Sequence, residues 1–199
     1  MTQDQYKTIN KQSEGFFKDR SSKFYSFAFP VKTEDDIVEF RAKIRKEYYD
    51  ARHHVYAYRL GADLKTFRAS DDGEPSNSSG PPILGKIRSY KLTDILIIVV
   101  RYFGGTKLGI SGLINAYGTA AEEAIKNANI IIKTITKQLT IKFEYPQMND
   151  VMRIIKDNDL KIAKQNFQIS CEIVLDIPLS SFERYLETFK KNHKLEVVA

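Results

Sequence analysis

Ile95-Leu-Ile-Ile-Val-Val-Arg-Tyr-Phe-Gly-Gly-Thr-Lys-Leu-Gly-Ile-Ser-Gly-Leu-Ile-Asn-Ala-Tyr-Gly118 decides how the rest of this chain is read. Its first six residues, Ile95 to Val100, are apolar and mostly β-branched, the pattern of a fully buried strand. Arg101, Tyr102 and Phe103 follow, then a loop holding Gly104, Gly105, Gly109 and Gly112, then an amphipathic helix. A buried strand running through a Gly-rich turn into a helix start lets backbone N–H groups converge on an anion. It is not a familiar nucleotide loop. The phosphate pattern G-x-x-x-x-G-K-[ST] needs Lys at 110, after Gly104 and Gly109, and Ile110 stands there. The dinucleotide pattern G-x-G-x-x-G is absent too.

The chain has 199 residues, enough for one domain or two small ones, and its 42% apolar and 12% aromatic residues can fill a proper core. The longest apolar run is that six-residue strand, which excludes a transmembrane helix. Met1 to Tyr6 is polar and lacks a signal-peptide apolar region. A single cysteine, Cys171, rules out an internal disulfide and fits a reducing cytoplasm. It sits in the alternating stretch Phe167 to Ile177 and reads as strand packing rather than a nucleophile. His53, His54 and His193 show no metal-ligand spacing, so neither a metal nor a cofactor is expected. The formal charge of +6 is uneven. Residues 1–135 hold 21 Lys/Arg against 16 Asp/Glu, while residues 136–199 hold 10 against 9. An N-terminal excess of this size suits a solvated basic surface or a polyanion partner.

The elements fall into two groups. Residues 1–22 are polar and read as an irregular arm. Lys23 to Val31 alternates as a strand, and Thr33 with Asp36 three residues on caps a helix carrying Ile37, Phe40, Ile44 and Tyr48. His53 to Leu60 and Leu64 to Ala69 form a hairpin across Gly61 to Asp63. Ser70 to Pro82 is rich in breakers and reads as a long surface loop, with Pro81 and Pro82 opening a short helix to about Tyr90. Ser111 is a candidate cap for the helix after the Gly loop, whose Leu113, Tyr117, Ala120, Ala121, Ala124 and Ala128 keep helical spacing. From residue 135 the order restarts as strand (Lys137–Tyr145), helix, strand (Leu160–Phe167), strand (Ser170–Ile177), helix and a closing Leu195–Val198. That β-α-β-β-α-β order is ferredoxin-like. The expected fold class is therefore α+β in two domains, 23–134 and 135–199, after the arm.

The chain resembles the IMPACT protein family, in its bacterial YigZ-type branch. The resemblance is carried by Gly80-Pro-Pro-Ile-Leu84, by Val99 to Gly109 and the helix start through Gly112, Ala116, Tyr117 and Gly118. Ser70 to Pro75, Ala51 to Tyr58 and Ser22-Lys-Phe24 add to it. It implies an N-terminal domain with the fold of the second domain of ribosomal protein S-five. It also implies a C-terminal domain similar to the last domain of elongation factor G. Eukaryotic members are linked to translational control through a separate interaction domain, which is not expected in this chain. For the bacterial branch the fold kinship suggests nucleic-acid or ribosome binding, by analogy.

Among candidate site residues Arg101 leads. At the end of a buried strand, beside Tyr102 and Phe103, its guanidinium offers a bidentate phosphate clamp next to stacking surfaces. It equally suits a pair with Asp71, Asp72 or Glu74 that braces the long loop, or both, with a ligand displacing the carboxylates. Gly104, Gly105, Gly109 and Gly112 fit an anion cradle or plain backbone demands. Lys107 and Ser111 add a charge and a hydroxyl to the same loop. Asp71, Asp72 and Glu74, with Gly73 and Pro75 between and after them, read as turn chemistry over a cation site. His53 and His54 point to opposite faces of their strand. A Ser70–His53–Asp71 hydrolase can be drawn, although no nucleophile elbow occurs. Tyr56, Tyr58, Tyr102 and Tyr117 suit a stacking platform or core packing.

Three function classes follow. The first is a cytoplasmic, non-enzymatic binder of RNA or the ribosome that modulates translation. The second is an enzyme using the Gly loop as a phosphate or oxyanion cradle, with His53 or an Asp71/Asp72 pair as base. The third is a regulator whose near-neutral C-terminal domain meets a protein partner. The lack of a nucleophile or metal constellation favours the first.

Overall fold

A computed structural model describes residues 4–167 and 170–198. Its architecture is α+β, and the chain divides into two compact units. One is Tyr6–Lys133; the other joins the start of the chain, up to Gln5, to the segment from Thr134 onward.

The larger unit runs β1 (Gln5–Ile9), β2 (Ser13–Asp19), β3 (Ser22–Pro30), α1 (Glu34–Glu47), β4 (His53–Leu60), β5 (Thr66–Ser70), α2 (Gly80–Ser89), β6 (Ile95–Tyr102), α3 (Gly109–Lys126) and β7 (Ile130–Thr134). Five strands form an antiparallel sheet in the order β2-β3-β6-β4-β5, while β1 and β7 pair separately. β6 lies at the centre and both its faces are covered, which is why it reads as an unbroken apolar run instead of alternating. Ile95, Ile97 and Val99 pack with residues of α2 and α3, and Leu96, Ile98 and Val100 pack with Ile37 and Ile44 of α1. The capping box expected at Thr33 is present, with Asp36 N–H donating to Thr33 Oγ1 (3.1 Å) and Thr33 N–H to Asp36 Oδ2 (3.0 Å).

The segment expected to be an irregular arm instead supplies β1 and β2. β2 is an edge strand whose first inner positions, Ser13 and Gly15, are small because α3 crosses it closely, while Phe17 further along packs against Phe24. Ser13 Oγ donates to the Ala124 carbonyl (2.8 Å), and a β-carbon on Gly15 would collide with the Ala124 backbone. Ser13 and Gly15 inside, and the outward Phe16 next to the inward Phe17, leave no hydrophobic alternation to read.

The smaller unit contains β8 (Thr136–Phe143), α4 (Met148–Asp157), β9 (Lys161–Phe167), β10 (Cys171–Pro178), α5 (Phe182–Lys190) and β11 (Glu196–Val198). Its sheet order, β11-β8-β10-β9, is the ferredoxin-like one. Leu139, Ile141 and Phe143 of β8 and Cys171, Ile173 and Leu175 of β10 point inward with Val151, Phe182 and Phe189. Cys171 is thus a core residue opposite Phe143. No described helix is long and apolar enough to cross a membrane.

Candidate functional site

At the C-terminal end of β6 the alternation of the strand separates Arg101 from Tyr102. Arg101 shares a face with Val99 and Phe24, beneath α3, and its register partner on β4 is His53. Tyr102 lies on the other face among Tyr25 and Tyr48, and its hydroxyl donates to Asp50 Oδ1 (2.6 Å). That bond pushes the Tyr102 phenol up to about 12. Tyr102 is therefore not brought to the site, contrary to its expected stacking role.

Arg101 carries the electrostatic centre. Its Nη1 donates to Glu74 Oε1 at 2.7 Å, with side chains only 8% and 4% exposed. Tyr117 of α3 donates its hydroxyl to the same oxygen, also at 2.7 Å. Burial, then the charge of Glu74, pushes the Tyr117 phenol far up, so it remains a donor. The brace expected between Arg101 and the long loop thus forms, and Glu74 is the carboxylate that makes it. The contact is a single bond and not a bidentate fork. Arg101 Nε is buried without a partner among the described residues, and Nη2 has no acceptor among them.

The loop between β5 and α2 is shaped to deliver Glu74. Asp71 lies beneath it as a cap: its carboxylate accepts from the Asn77, Ser79 and Gly80 N–H groups and from Ser79 Oγ, at 2.7–3.0 Å. Burial alone would raise the Asp71 carboxyl, but these bonds outweigh it and hold it below its ordinary range. Asp72 bonds Arg45 (2.8 Å) and the His54 N–H (2.7 Å). With Asp71 and Asp72 so engaged, the carboxylates serve as turn chemistry, and no group of three or more metal-competent side chains occurs among the described residues. The chain turns at Asp72 and Gly73, with φ of 44° and 86°, the second a conformation suited to glycine.

His53 and His54 face opposite ways, as alternation required. His54 is buried on the α1 side, where Nε2 donates to the Tyr48 carbonyl (3.0 Å), and burial lowers its pKa. His53 donates Nδ1–H to the Asp72 carbonyl (2.8 Å). That bond occupies the ring nitrogen a Ser70–His53–Asp71 triad would need, while Asp71 is committed to the loop, so the triad is not assembled.

Glu74, Pro75, His53, Arg101, Phe103, Lys107 and Gly109 come together around one pocket of about 490 Å³ in the larger unit. Its basic side comprises Arg52, His53, Arg101 and Lys107; its apolar wall includes Phe103, Leu108, Ile110 and Leu113. Phe103 is 60% exposed and turns a ring to solvent beside the Arg101 guanidinium, 5.6 Å away. α3 opens here without a side-chain cap and without an acidic residue in its first turn, so the positive end of its dipole faces the pocket uncompensated. Ser111 does not cap it. The helix begins two residues earlier, at Gly109, and Ser111 stands exposed in its first turn, outside the pocket lining.

The remaining glycines of the loop serve the backbone. A β-carbon on Gly104 would collide with the Ser21–Ser22 backbone, and Gly104 N–H donates to Ser22 Oγ (3.1 Å). Gly105 and Gly109 hold positive φ, 86° and 73°, whereas Gly112 packs beside Leu108. Tyr56, Tyr58 and Tyr117 are buried and form no platform. Arg52, Leu108, Ile110 and Leu113 were not singled out from the sequence; Arg52 stood next to His53, and Leu113 lies one helical turn before Tyr117.

A profile of the Impact N-terminal domain matches residues 20–125. The chain is 28% identical over 187 residues to the IMPACT family member YvyE of Bacillus subtilis, covering 94% of this chain and 82% of that protein. It is 32% identical over 148 residues to the IMPACT family member YigZ of Escherichia coli, covering 73% and 72%. A crystal structure described as that of a hypothetical protein superposes with a TM-score of 0.72 at 26% identity, over 98% of this chain and 97% of that one.

Proposed function

The chain belongs to the IMPACT family, and from that premise we propose that it is a non-enzymatic RNA-binding protein, acting on free or ribosomal RNA in the control of translation. Its pocket takes one nucleotide of a single strand. Phosphate sits at the start of α3 with Arg52 and Lys107, and the base lies against Phe103.

The observation that carries this reading is Arg101. A guanidinium more than nine-tenths buried in a pocket wall leaves Nε unpartnered, next to an uncapped helix N-terminus and two exposed cations. Nε itself is out of reach of solvent, so a ligand in the pocket meets the guanidinium through Nη2, which has no acceptor among the described residues. The pocket volume lies within the ordinary range for small-ligand sites.

The test is a salt titration of single-stranded RNA binding, followed by fluorescence anisotropy, with the parent chain and an Arg52→Ala/Lys107→Ala variant. Both side chains are exposed, so the variant folds. Since both contact the one phosphate, the variant binds more weakly and its log K against log salt slope is shallower by about 0.7. Equal affinity and slope would end the assignment of RNA to this pocket.

A protein partner for the smaller unit is a second, compatible proposal. It is favoured by the outer face of that sheet, where Lys142 pairs with Glu196 (3.6 Å) and Lys161 with Asp176 (3.8 Å). Charges neutralised within the face offer little to a polyanion, and β9 presents an unpaired strand edge.

A further inference from the structure

Resting on the reading of the Gly-loop pocket as an RNA site, we infer that the same strand has a second contact, on Arg59, Phe67 and Arg88 at the turn end of the β4–β5 hairpin. Alternation along β4 places His53, Val55, Ala57 and Arg59 on one face of the sheet, the face that α2 and α3 cover. His53 lines the pocket, and Arg59 stands six residues further on, about 20 Å along the strand. In β5, Phe67 is the register partner of Arg59. The Arg88 guanidinium, from the last turn of α2, lies over the Phe67 ring at 4.3 Å. Phe67 is 48% exposed, so its ring is not committed to the core. Two cations and an aromatic ring thus form one cluster.

The charge of this cluster is uncompensated. Neither guanidinium has a carboxylate partner among the described residues. Arg59 makes a long bond to the Leu64 carbonyl (3.4 Å), and burial, then the charge of Arg88, lowers its pKa. Asp63, in the turn between the two strands, accepts from Lys65 N–H (3.3 Å) and pairs with neither arginine. A phosphate held between the two guanidiniums relieves their repulsion, and a base stacks against the open part of the Phe67–Arg88 pair. The surface joining the cluster to the pocket suits a polyanion too. α2 begins just after the loop that delivers Glu74 and ends at the cluster, and neither α2 nor β5 contains an Asp or Glu. An acidic peptide would answer the two cations alone. The ring between them and the acid-free path to the pocket favour a nucleic-acid strand.

The experiment measures binding of two labelled oligouridylates to the whole chain by fluorescence anisotropy. One is a trimer, too short to reach both contacts, and the other has about 10 nucleotides, within the site sizes of single-strand binders. Arg59→Ala/Arg88→Ala is expected to weaken the longer strand far more than the trimer. Its log K against log salt slope for the longer strand should be shallower by about 0.7, the value of one phosphate. Phe67→Ala, at an exposed position that does not endanger the fold, should weaken the longer strand about fivefold or more, as loss of one stacking partner does. If both variants bind the longer strand as the parent does, or lose equal affinity for the two RNAs, the inference is overturned and the pocket reading stands. If Arg52→Ala/Lys107→Ala binds both RNAs as the parent does while the cluster variants are weakened, the cluster stands as an RNA contact and the pocket reading fails.

Discussion

Replacing Glu74 by Gln tests the energetics of the site at its root. The Arg101–Glu74 pair is 2.7 Å long with side chains 8% and 4% exposed. It therefore belongs with buried pairs and not with surface bridges worth about 0–1 kcal/mol. Glu74→Gln keeps shape and an oxygen for the Tyr117 hydroxyl but leaves the guanidinium without its counter-charge. Water cannot easily compensate, since Nε is already buried and unpartnered. Breaking one side of a buried pair costs about 3–5 kcal/mol. Adding Arg101→Met removes the stranded charge, so the double variant recovers most of that loss, because apolar replacements of buried pairs are often neutral. Urea unfolding followed by circular dichroism measures both. A Glu74→Gln cost below about 1 kcal/mol, or a double variant no more stable than the single one, would refute the reasoning.

Two further predictions concern pH. Asp71→Ala should lower stability by about 1–2 kcal/mol, as loss of a cap does. Because its folded pKa is depressed, this contribution is present above the unfolded value of 3.8 and fades as pH falls through the lower folded value. Chemical unfolding of parent and variant at pH 7 and pH 3 reads the difference, which should shrink at pH 3. His54 is a base with a lowered folded pKa, so the unfolded chain takes up a proton first, below 6.5, and stability falls from there until the folded value is reached. His54→Gln should flatten the loss of stability between pH 7 and pH 5, measured by thermal melting.

Locally encoded features were legible in the sequence. Six apolar residues announced β6, Thr33 and Asp36 announced the α1 cap, and the helical spacing of Leu113 to Ala128 announced α3. β2 was hidden for a local reason too: the close crossing of α3 demands Ser13 and Gly15 where an inward apolar residue would have marked a strand. At the site, Arg101 was readable as the centre, but its partner was one of three neighbouring carboxylates. The choice depends on the left-handed turn at Asp72 and Gly73, which tertiary contacts with Arg45 and His54 hold. Strand alternation already placed Tyr102 opposite Arg101. Phe103 escaped that rule because it stands just past the end of β6. Tyr117 carried no polar signal at all, since its spacing is that of a core residue and only the long-range meeting with Glu74 gives its hydroxyl a purpose.

The central claim, that the Gly-loop pocket holds a nucleotide of single-stranded RNA, is tested most directly by amide shift mapping. Isotope-labelled protein is titrated with a short single-stranded oligoribonucleotide at low salt. Progressive shifts at Arg52, His53 and Phe103 through Leu113, reversed by added salt, are the predicted result. Shifts confined to the strands of the smaller unit, or no shifts at all, would contradict it.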